Sequence, residues 1–262
     1  MGIVRTDEWL VKDWYRPEAL CERLQSHFKG KSPRDIYQEL LHFGMFRRHM
    51  VNETEMRNFI KTDLWENAGK ILNQYTEKWH GPDLPVFIFP AAKKGSFFHR
   101  GEPQKSGVSY PDKLFLFLPE SINEKELEAL FVHEYHHTCR MAALGKLAEE
   151  NTLLESMIME GLAEYAVFHE CGPEYLGEWC TLYGEEGLGK FWKQLLRNNL
   201  NKKKTDKIHN LLLYGGKGVP RLLGYSYGFY LVDTYYKRKD FFIKSSFEIS
   251  AKPFVLTEKH TN

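Results

Sequence analysis

The chain has 262 residues, of which 42% are apolar and 27% are charged, and its 36 Lys and Arg residues nearly balance 35 Asp and Glu residues to leave a formal net charge of +1. This composition is typical of a globular protein and excludes the disordered class. Because the chain as a whole has no surplus of positive charge, we expect neither nucleic acid nor a membrane surface as a partner.

The cysteines and the hydropathy pattern favour a cytoplasmic location. The four cysteines are scattered and form no Cys-x-x-Cys pair, so we expect reduced thiols rather than a disulfide framework or a four-cysteine zinc site. The first residues lack the apolar segment of a secretory signal peptide. No stretch approaches the ~20 apolar residues that a membrane-spanning helix needs.

Residues 1–80 carry the start and stop signals of several helices. Ser32–Pro33 is typical of a cap followed by a first-turn proline, and Asn52 with Glu55 matches a capping box ahead of an apolar stripe. The sequence Trp79–Pro82 then predicts a helix end, because Gly and Pro both terminate helices. We therefore expect a helical N-terminal part.

The composition changes to that of a small sheet after this helical part. Residues 84–89 and 113–118 are short apolar runs bounded by proline, and both are typical of strands. Residues 96–99 are a candidate third strand, and residues 101–109 are predicted to form turns. Helices return at Asn123 and dominate to the end, which predicts a mostly helical α+β fold.

A possible metal-binding motif lies on the helix that Asn123 caps. The segment His133–His137 reads His-Glu-Tyr-His-His and matches the pattern H-E-x-x-H. Residues four apart lie on one helix face about 6 Å apart along the axis, so His133 and His137 can bind one tetrahedral zinc ion. Glu134 is rotated ~100° from His133 and can reach a metal-bound water. The alternative is a surface helix rich in His and Glu.

A second helix is predicted between the Thr152–Glu155 capping box and the Gly172–Pro173 stop. Inside it, Glu160 and Glu164 are four residues apart and share a face. One carboxylate can complete a zinc triad, and the other can then accept the free ring N–H of a ligating histidine. Glu155 is a fallback ligand.

The neighbours of these two glutamates favour buried carboxylates over solvated ones. The surrounding side chains are almost all apolar, and a buried carboxylate needs a partner. Gly161 and Ala163 leave room for a close neighbouring helix, which a shared metal ion would require. The pattern therefore predicts that this helix packs against another one near the metal.

H-E-x-x-H followed by Glu-Gly-Leu-Ala-Glu on the next helix resembles the gluzincin metallopeptidases, and more narrowly a bacterial family of uncharacterised, predicted zinc-dependent proteases. The likeness runs from about residue 80 to the end of the chain. It implies that Glu160 is the third zinc ligand and that Glu164, which is one methylene longer than the usual Asp, supports a histidine ligand. It also implies a zincin-like fold, one Zn²⁺ per chain and a peptide or protein substrate.

A late segment, Gly224–Tyr230, offers a group that could stabilise a developing oxyanion. It lies in a helical stretch that Pro220 is predicted to open. The predicted protease family has a similar Gly-Tyr-x-x-Gly element, which implies that Tyr225 lies in the active-site cleft. A phenol there can donate a hydrogen bond to the oxyanion. Tyr227 and His209 are the other candidates, and aromatic packing in the core is the structural alternative.

The resemblance to zincins also implies a role for one strand of the sheet in substrate binding. In zincins the strand that borders the cleft binds an extended substrate through backbone hydrogen bonds. This implies that Lys113–Leu118 or its partner strand forms that edge, and that Gly107–Tyr110 is a substrate-facing loop. Ordinary packing inside the sheet explains these residues equally well.

Together these observations predict a single domain over residues 1–262, with a helical part over 1–80 and a motif-bearing, zincin-like part over 81–262 that ends in a C-terminal helical lobe. The predicted function is zinc-dependent hydrolysis of peptide bonds. In this mechanism Glu134 acts as the general base toward a metal-activated water.

Two alternative functions belong to other classes. The pairs Glu77/His80 and Glu134/His137 both match E-x-x-H, and two such pairs build the di-iron site of carboxylate helical proteins with a redox role. That hypothesis leaves both His133 and the strand-rich segment unexplained. The other alternative is an interaction module in which zinc only stabilises the fold.

Overall fold

The computed structural model describes residues 2–93 and 105–256. Its helices are α1 (Thr6–Asp13), α2 (Pro17–Glu22), α3 (Pro33–Phe43), α4 (Glu53–Ile60), α5 (Leu64–Trp79), α6 (Glu124–Leu144), α7 (Leu153–Cys171), α8 (Glu185–Phe191), α9 (Lys207–Tyr214), α10 (Leu223–Tyr236), α11 (Ile243–Glu248) and α12 (Lys252–Leu256). Its strands are β1 (Val86–Pro90), β2 (Ser106–Tyr110) and β3 (Lys113–Leu118). The prediction of a mostly helical α+β fold with a small sheet ahead of the H-E-x-x-H helix is confirmed.

The helix ends follow the predicted local signals. The Asp35 N–H donates to Ser32 Oγ at the start of α3, and a reciprocal capping box joins Asn52 and Glu55 at the start of α4. Helix α5 ends at Trp79, where His80 adopts a left-handed conformation with φ of 52°. These side chains satisfy backbone groups that a helix terminus leaves unpaired, which is why the helices begin and end where they do.

The three strands form one sheet in the order β1-β3-β2, in which β1 is parallel to β3 and β2 is antiparallel to it. Every residue of β1 and β3 is buried, whereas β2 is half-buried throughout. Strands at residues 84–89 and 113–118 are confirmed, with the first shifted by one or two residues. The candidate strand at 96–99 lies outside the described residues.

The structure corrects the prediction of turns at residues 106–109, and residues 101–104 of that prediction lie outside the described residues. Ser106–Tyr110 pairs with β3 and so forms strand β2, and the supposed substrate-facing loop Gly107–Tyr110 is part of that strand. Gly and Ser have low strand propensity, so the local composition does not signal a strand. The pairing with β3 supplies the backbone hydrogen bonds that decide the outcome.

The described chain divides into two compact units, Met1–Thr138 and Cys139–Asn262, with the boundary inside α6. In the first unit, aromatic side chains line the sheet and the start of α6. The rings of Phe87 on β1 and Phe115 on β3 stack 4.8 Å apart, and Trp79 stacks on Tyr135 of α6 at 5.8 Å. This packing holds the first half of α6 within the first unit. The expectation of a single domain stays a prediction.

In the second unit, α7 and α10 approach each other unusually closely. An ideal Cβ built on Gly161 would lie 2.3 Å from the carbonyl oxygen of Gly228, and one built on Gly228 would lie 2.0 Å from that of Met157. No side chain fits at either position. The predicted close helix for which Gly161 makes room is α10.

The end of α6 is anchored within this second unit by Arg140, which is 4% exposed. Its guanidinium donates to the carbonyl oxygens of Ser246, Phe247 and Ile249, where α11 ends. Burial lowers the pKa of Arg140 to about 10, so the side chain stays charged at neutral pH. No helix in the described ranges is both long enough and apolar enough to cross a membrane.

Candidate metal centre

The two motif histidines of α6 are brought together as the helical spacing predicts. The Nε2 atoms of His133 and His137 lie 3.1 Å apart, and the two ring planes are nearly perpendicular at 87°. Two nitrogens that bind one tetrahedral zinc at ~2.0–2.1 Å must lie about 3.3 Å from each other. The two rings therefore stand at the separation that a shared zinc ion requires.

Glu160 of α7 completes a candidate donor set with these histidines. One ligand atom each from His133, His137 and Glu160 lies within 4.8 Å of the other two. No other group of three His, Cys, Asp or Glu side chains in the described ranges meets this criterion. Two imidazole nitrogens and one carboxylate oxygen are a donor set that suits zinc, and three protein ligands leave a fourth position for water or substrate.

Glu134 lies against strand β2 and is 8% exposed. The hydroxyl of Ser109 donates to Glu134 Oε2, and it also lies 2.8 Å from the backbone carbonyl oxygen of Glu134. Gly107, two residues earlier on the same strand, leaves the space that the carboxylate occupies: a Cβ there would lie 2.5 Å from Glu134 Cγ. Thr138, one helical turn after Glu134, reaches the Tyr110 carbonyl oxygen at 3.3 Å.

The contacts of Ser109 and Gly107 were not foreseen from the sequence. The sequence places both residues in a candidate substrate-facing loop, and nothing within a few residues of either one points to Glu134. The period-2 alternation of strands would put residues 107 and 109 on one face once β2 is recognised as a strand. That recognition depends on the pairing with β3.

The other glutamates of α7 have partners of their own. Glu164 is 3% exposed, and its Oε1 accepts a hydrogen bond from the backbone N–H of Gly177. Glu155, the fallback ligand, belongs to the capping box with Thr152 and forms an ion pair with Lys146 at 2.7 Å. Burial opposes ionisation of Glu155, but the hydrogen bonds from Lys146 and Thr152 outweigh it and lower its pKa. The capping role explains this side chain without a metal.

Tyr225 is half-buried among other aromatic rings of the second unit. Its ring centroid lies 5.6 Å from that of Trp179 in an edge-to-face arrangement and 5.8 Å from that of Tyr214. Tyr214 was not singled out from the sequence, and 46% of it is exposed. Burial of its hydroxyl and the negative charge of Glu160 raise the pKa of Tyr214, while a hydrogen bond with Tyr225 partly offsets this. Tyr225 is therefore paired with a tyrosine whose pKa responds to the charge of Glu160.

The two other oxyanion candidates lie inside the core. Tyr227 is 1% exposed and stacks on Trp192 with ring centroids 5.2 Å apart and planes at 4°. His209 is fully buried, with its ring nitrogens 3.0 Å from Ser156 Oγ and 2.9 Å from Asn210 Oδ1. Neither side chain has the solvent access that contact with a substrate requires.

The residues of the di-iron alternative are placed differently. Glu77 and His80 are both exposed at the end of α5, and His80 is the left-handed residue that ends this helix. Neither one belongs to a group of three candidate ligands within the described residues. His133, which the di-iron hypothesis leaves without a role, belongs to the donor set instead.

Comparisons with known proteins identify a family model and two relatives that match this chain. A family model described as "Predicted Zn-dependent protease (DUF2268)" matches residues 64–256. The chain is 32% identical to the uncharacterized protein YjaZ of Bacillus subtilis (strain 168) over 238 residues, which cover 90% of this chain and 91% of the relative. It is 21% identical to the uncharacterized protein YjfC of the same organism over 146 residues, or 52% of this chain and 48% of the relative. No solved structure matches the chain.

Proposed function

Because the chain belongs to the family of predicted Zn-dependent proteases, we propose that it is a zinc metallopeptidase that hydrolyses peptide bonds. The observation that carries this proposal is the donor set of His133, His137 and Glu160, whose ligand atoms lie within 4.8 Å of one another. The glutamate that follows the first histidine, Glu134, provides the base that such a hydrolysis needs. Metal, base and family point to the same reaction class.

In this proposal His133, His137 and Glu160 hold one zinc ion. When bound, the ion lowers the pKa of a coordinated water and polarises the carbonyl oxygen of the substrate. The ring nitrogens that face each other, both Nε2, are the ligand atoms of the two histidines. Both histidines then carry their remaining ring proton on Nδ1, where an acceptor can fix the tautomer.

Glu134 transfers a proton from the attacking water to the leaving group in this proposal. Its Oε2 accepts the hydrogen bond from Ser109, whereas its Oε1 accepts no hydrogen bond from the described part of the chain. We assign Oε1 as the atom that takes the proton from the attacking water and returns it to the leaving amine nitrogen. A carboxylate can serve both steps because it becomes the acid that the second step needs.

Two further side chains complete the proposal. Tyr225 donates a hydrogen bond from its hydroxyl to the oxygen on which negative charge develops, since it is half-buried and close to a tyrosine in the field of Glu160. Glu164 supports one of the histidine ligands with a carboxylate that Gly177 already orients. Both assignments also follow from the resemblance of these motifs to those of the metallopeptidases.

The test is elemental analysis of the purified chain together with digestion of a peptide library, with and without a chelator. We expect one zinc per chain and cleavage that the chelator abolishes. Glu134→Gln should keep the zinc and lose turnover by about 10²- to 10⁴-fold, since only the proton transfer is removed. His133→Ala should lose the stoichiometric zinc as well.

Glu124→Gln is the matched control, because Glu124 is an exposed glutamate in the first turn of the same helix. It should keep both the metal and the turnover. Two irons per chain would support the di-iron alternative. Zinc without cleavage of any peptide would support the interaction module, and tight zinc binding by His133→Ala would refute the ligand assignment.

A further inference from the structure

We propose that Ser109 is a positioning residue, which holds the Glu134 carboxylate in place from strand β2. This inference rests on the proposed function, because it concerns the base of that reaction. It adds a residue that lies outside both metal-binding motifs and comes from the edge of the sheet. Nothing in the H-E-x-x-H pattern itself calls for a serine at this position.

The Ser109 hydroxyl contacts both the backbone carbonyl group and the side-chain carboxylate of Glu134. Its hydroxyl reaches Glu134 Oε2 and lies 2.8 Å from the Glu134 backbone carbonyl oxygen. The hydroxyl carries one hydrogen, which it can donate to either oxygen. Because the two acceptors belong to the backbone and the tip of the same residue, the contact limits rotation of the side chain relative to α6.

Gly107 leaves the space in which the Glu134 carboxylate lies. Residues 107 and 109 lie on the same face of β2, and both meet Glu134. A Cβ at position 107 would lie 2.5 Å from Glu134 Cγ and 2.8 Å from its Oε1. The carboxylate therefore packs against the backbone of Gly107, and its Oε2 accepts a hydrogen bond from the Ser109 hydroxyl.

This arrangement makes the two carboxylate oxygens different. Oε2 is engaged by Ser109, and Oε1 lies over Gly107 without a hydrogen bond from the described residues. A free glutamate side chain samples many rotamers, and a misplacement of 1 Å in a reacting group can cost about 10²-fold in rate. We infer that Ser109 contributes to the rate by keeping Oε1 directed at the reacting water.

The test compares Ser109→Ala with Ser109→Thr, which keeps the hydroxyl. For Ser109→Ala we expect kcat to fall by about 10- to 100-fold, the loss of one hydrogen bond to a charged group, with KM and zinc content unchanged. Ser109→Thr should recover most of kcat. Gly107→Ala, which keeps the Ser109 hydroxyl but displaces the Glu134 carboxylate, should also lower kcat.

Ser106→Ala is the matched control on the same strand. The Ser106 hydroxyl donates to the carbonyl oxygen of Phe43 and has no contact with Glu134. Its removal should leave kcat within about two-fold of the wild type. If the loss of any serine from β2 disturbs the structure, kcat should fall equally in both variants. If Ser109 acts by positioning Glu134, kcat should fall only in Ser109→Ala.

A second measurement does not depend on peptidase activity. A double-mutant cycle of Ser109→Ala and Glu134→Gln in urea unfolding should be non-additive, and the cycle of Ser106→Ala with Glu134→Gln should be additive. Additive behaviour at Ser109 would overturn the inference even if the enzyme is inactive. A wild type that cleaves peptides while Ser109→Ala keeps its full kcat would overturn the inference and leave the proposed function standing.

Discussion

At the scale of single residues, burial separates tyrosines that look equivalent in the sequence. Tyr225 and Tyr227 are two positions apart in one aromatic helix, but Tyr227 is 1% exposed and stacks in the core while Tyr225 is half-buried. Tyr214, which belongs to another helix, is hydrogen-bonded to Tyr225. Of Tyr225 and Tyr227, Tyr225 has the more exposed side chain, and it is the one assigned to the oxyanion in the proposed function.

Tyr225→Phe should therefore lower kcat by about 10²-fold, since it removes one hydrogen-bond donor from a developing oxyanion. Zinc content should stay unchanged, because the ring and its packing are kept. Steady-state kinetics on a peptide identified by the library digest measure the effect.

Tyr183→Phe is the control for removal of a phenol hydroxyl in the second unit. The Tyr183 hydroxyl donates to the carbonyl oxygen of Arg221 at 2.7 Å. Turnover should be unaffected by this change. Equal kcat values for Tyr225→Phe and the wild type would remove Tyr225 from the mechanism.

At the scale of elements, two close approaches organise the two units. In the first unit, β2 lies against α6 through Gly107 and Ser109, and this contact places Glu134. In the second unit, α7 and α10 touch through Gly161 and Gly228, and this contact places the helix that carries Glu160. At Gly161 and Gly228 a glycine is required because the neighbouring atoms are backbone, whereas at Gly107 a larger residue would displace the Glu134 side chain.

Gly228→Ala tests the second contact. The new methyl would lie 2.0 Å from the Met157 carbonyl oxygen, which belongs to a helix backbone and cannot rotate away. We expect the free energy of unfolding to fall by about 3 kcal/mol, at the upper end of overpacking effects. Urea unfolding monitored by circular dichroism measures it.

Gly189→Ala provides the comparison, since it is the same substitution in another helix. No atom lies within 4 Å of the position that its Cβ would take on α8. Alanine has the higher helix propensity, so this variant should be more stable by about 0.5–1 kcal/mol. A Gly228→Ala variant as stable as the wild type would show that α7 and α10 can separate at little cost.

At the scale of the whole molecule, the proposed metal couples two helices that are separate in sequence. The histidines come from α6 and the carboxylate from α7. A ligand that binds the folded chain and not the unfolded one stabilises the fold by mass action, by ~2.7 kcal/mol at a concentration of 100 times its Kd. Zinc should therefore stabilise the chain in addition to its chemical role.

Removal of the metal by a chelator should lower the Tm of the wild type, and zinc added back should restore it. His133→Ala should unfold at the lower temperature with or without chelator, because it lacks the site. Thermal unfolding at fixed protein and zinc concentrations measures the difference.

His49→Ala serves as the control, since it removes an exposed histidine outside the donor set. Its Tm should respond to the chelator as the wild type does. A wild-type Tm that does not change with chelator or zinc would contradict binding by the folded chain.

Features that depend on residues close together in the chain follow from local sequence patterns. The caps at Ser32, Asn52 and Thr152, the stop after Trp79 and the pairing of His133 with His137 all follow from interactions within one or two helical turns. These contacts need no partner from elsewhere in the fold. They can therefore be predicted from a single sequence.

The association of segments in the folded chain decided the remaining features. It made Ser106–Tyr110 a strand, set Ser109 against Glu134, chose α10 as the partner of Gly161 and buried Tyr227 and His209. The β2–β3 pairing joins residues 3 to 11 positions apart, whereas the contacts of Ser109 with Glu134, of Gly161 with Gly228 and of His209 with Ser156 join residues 25 or more positions apart. Such contacts leave no local pattern, because the partner that stabilises each residue is specified elsewhere in the chain.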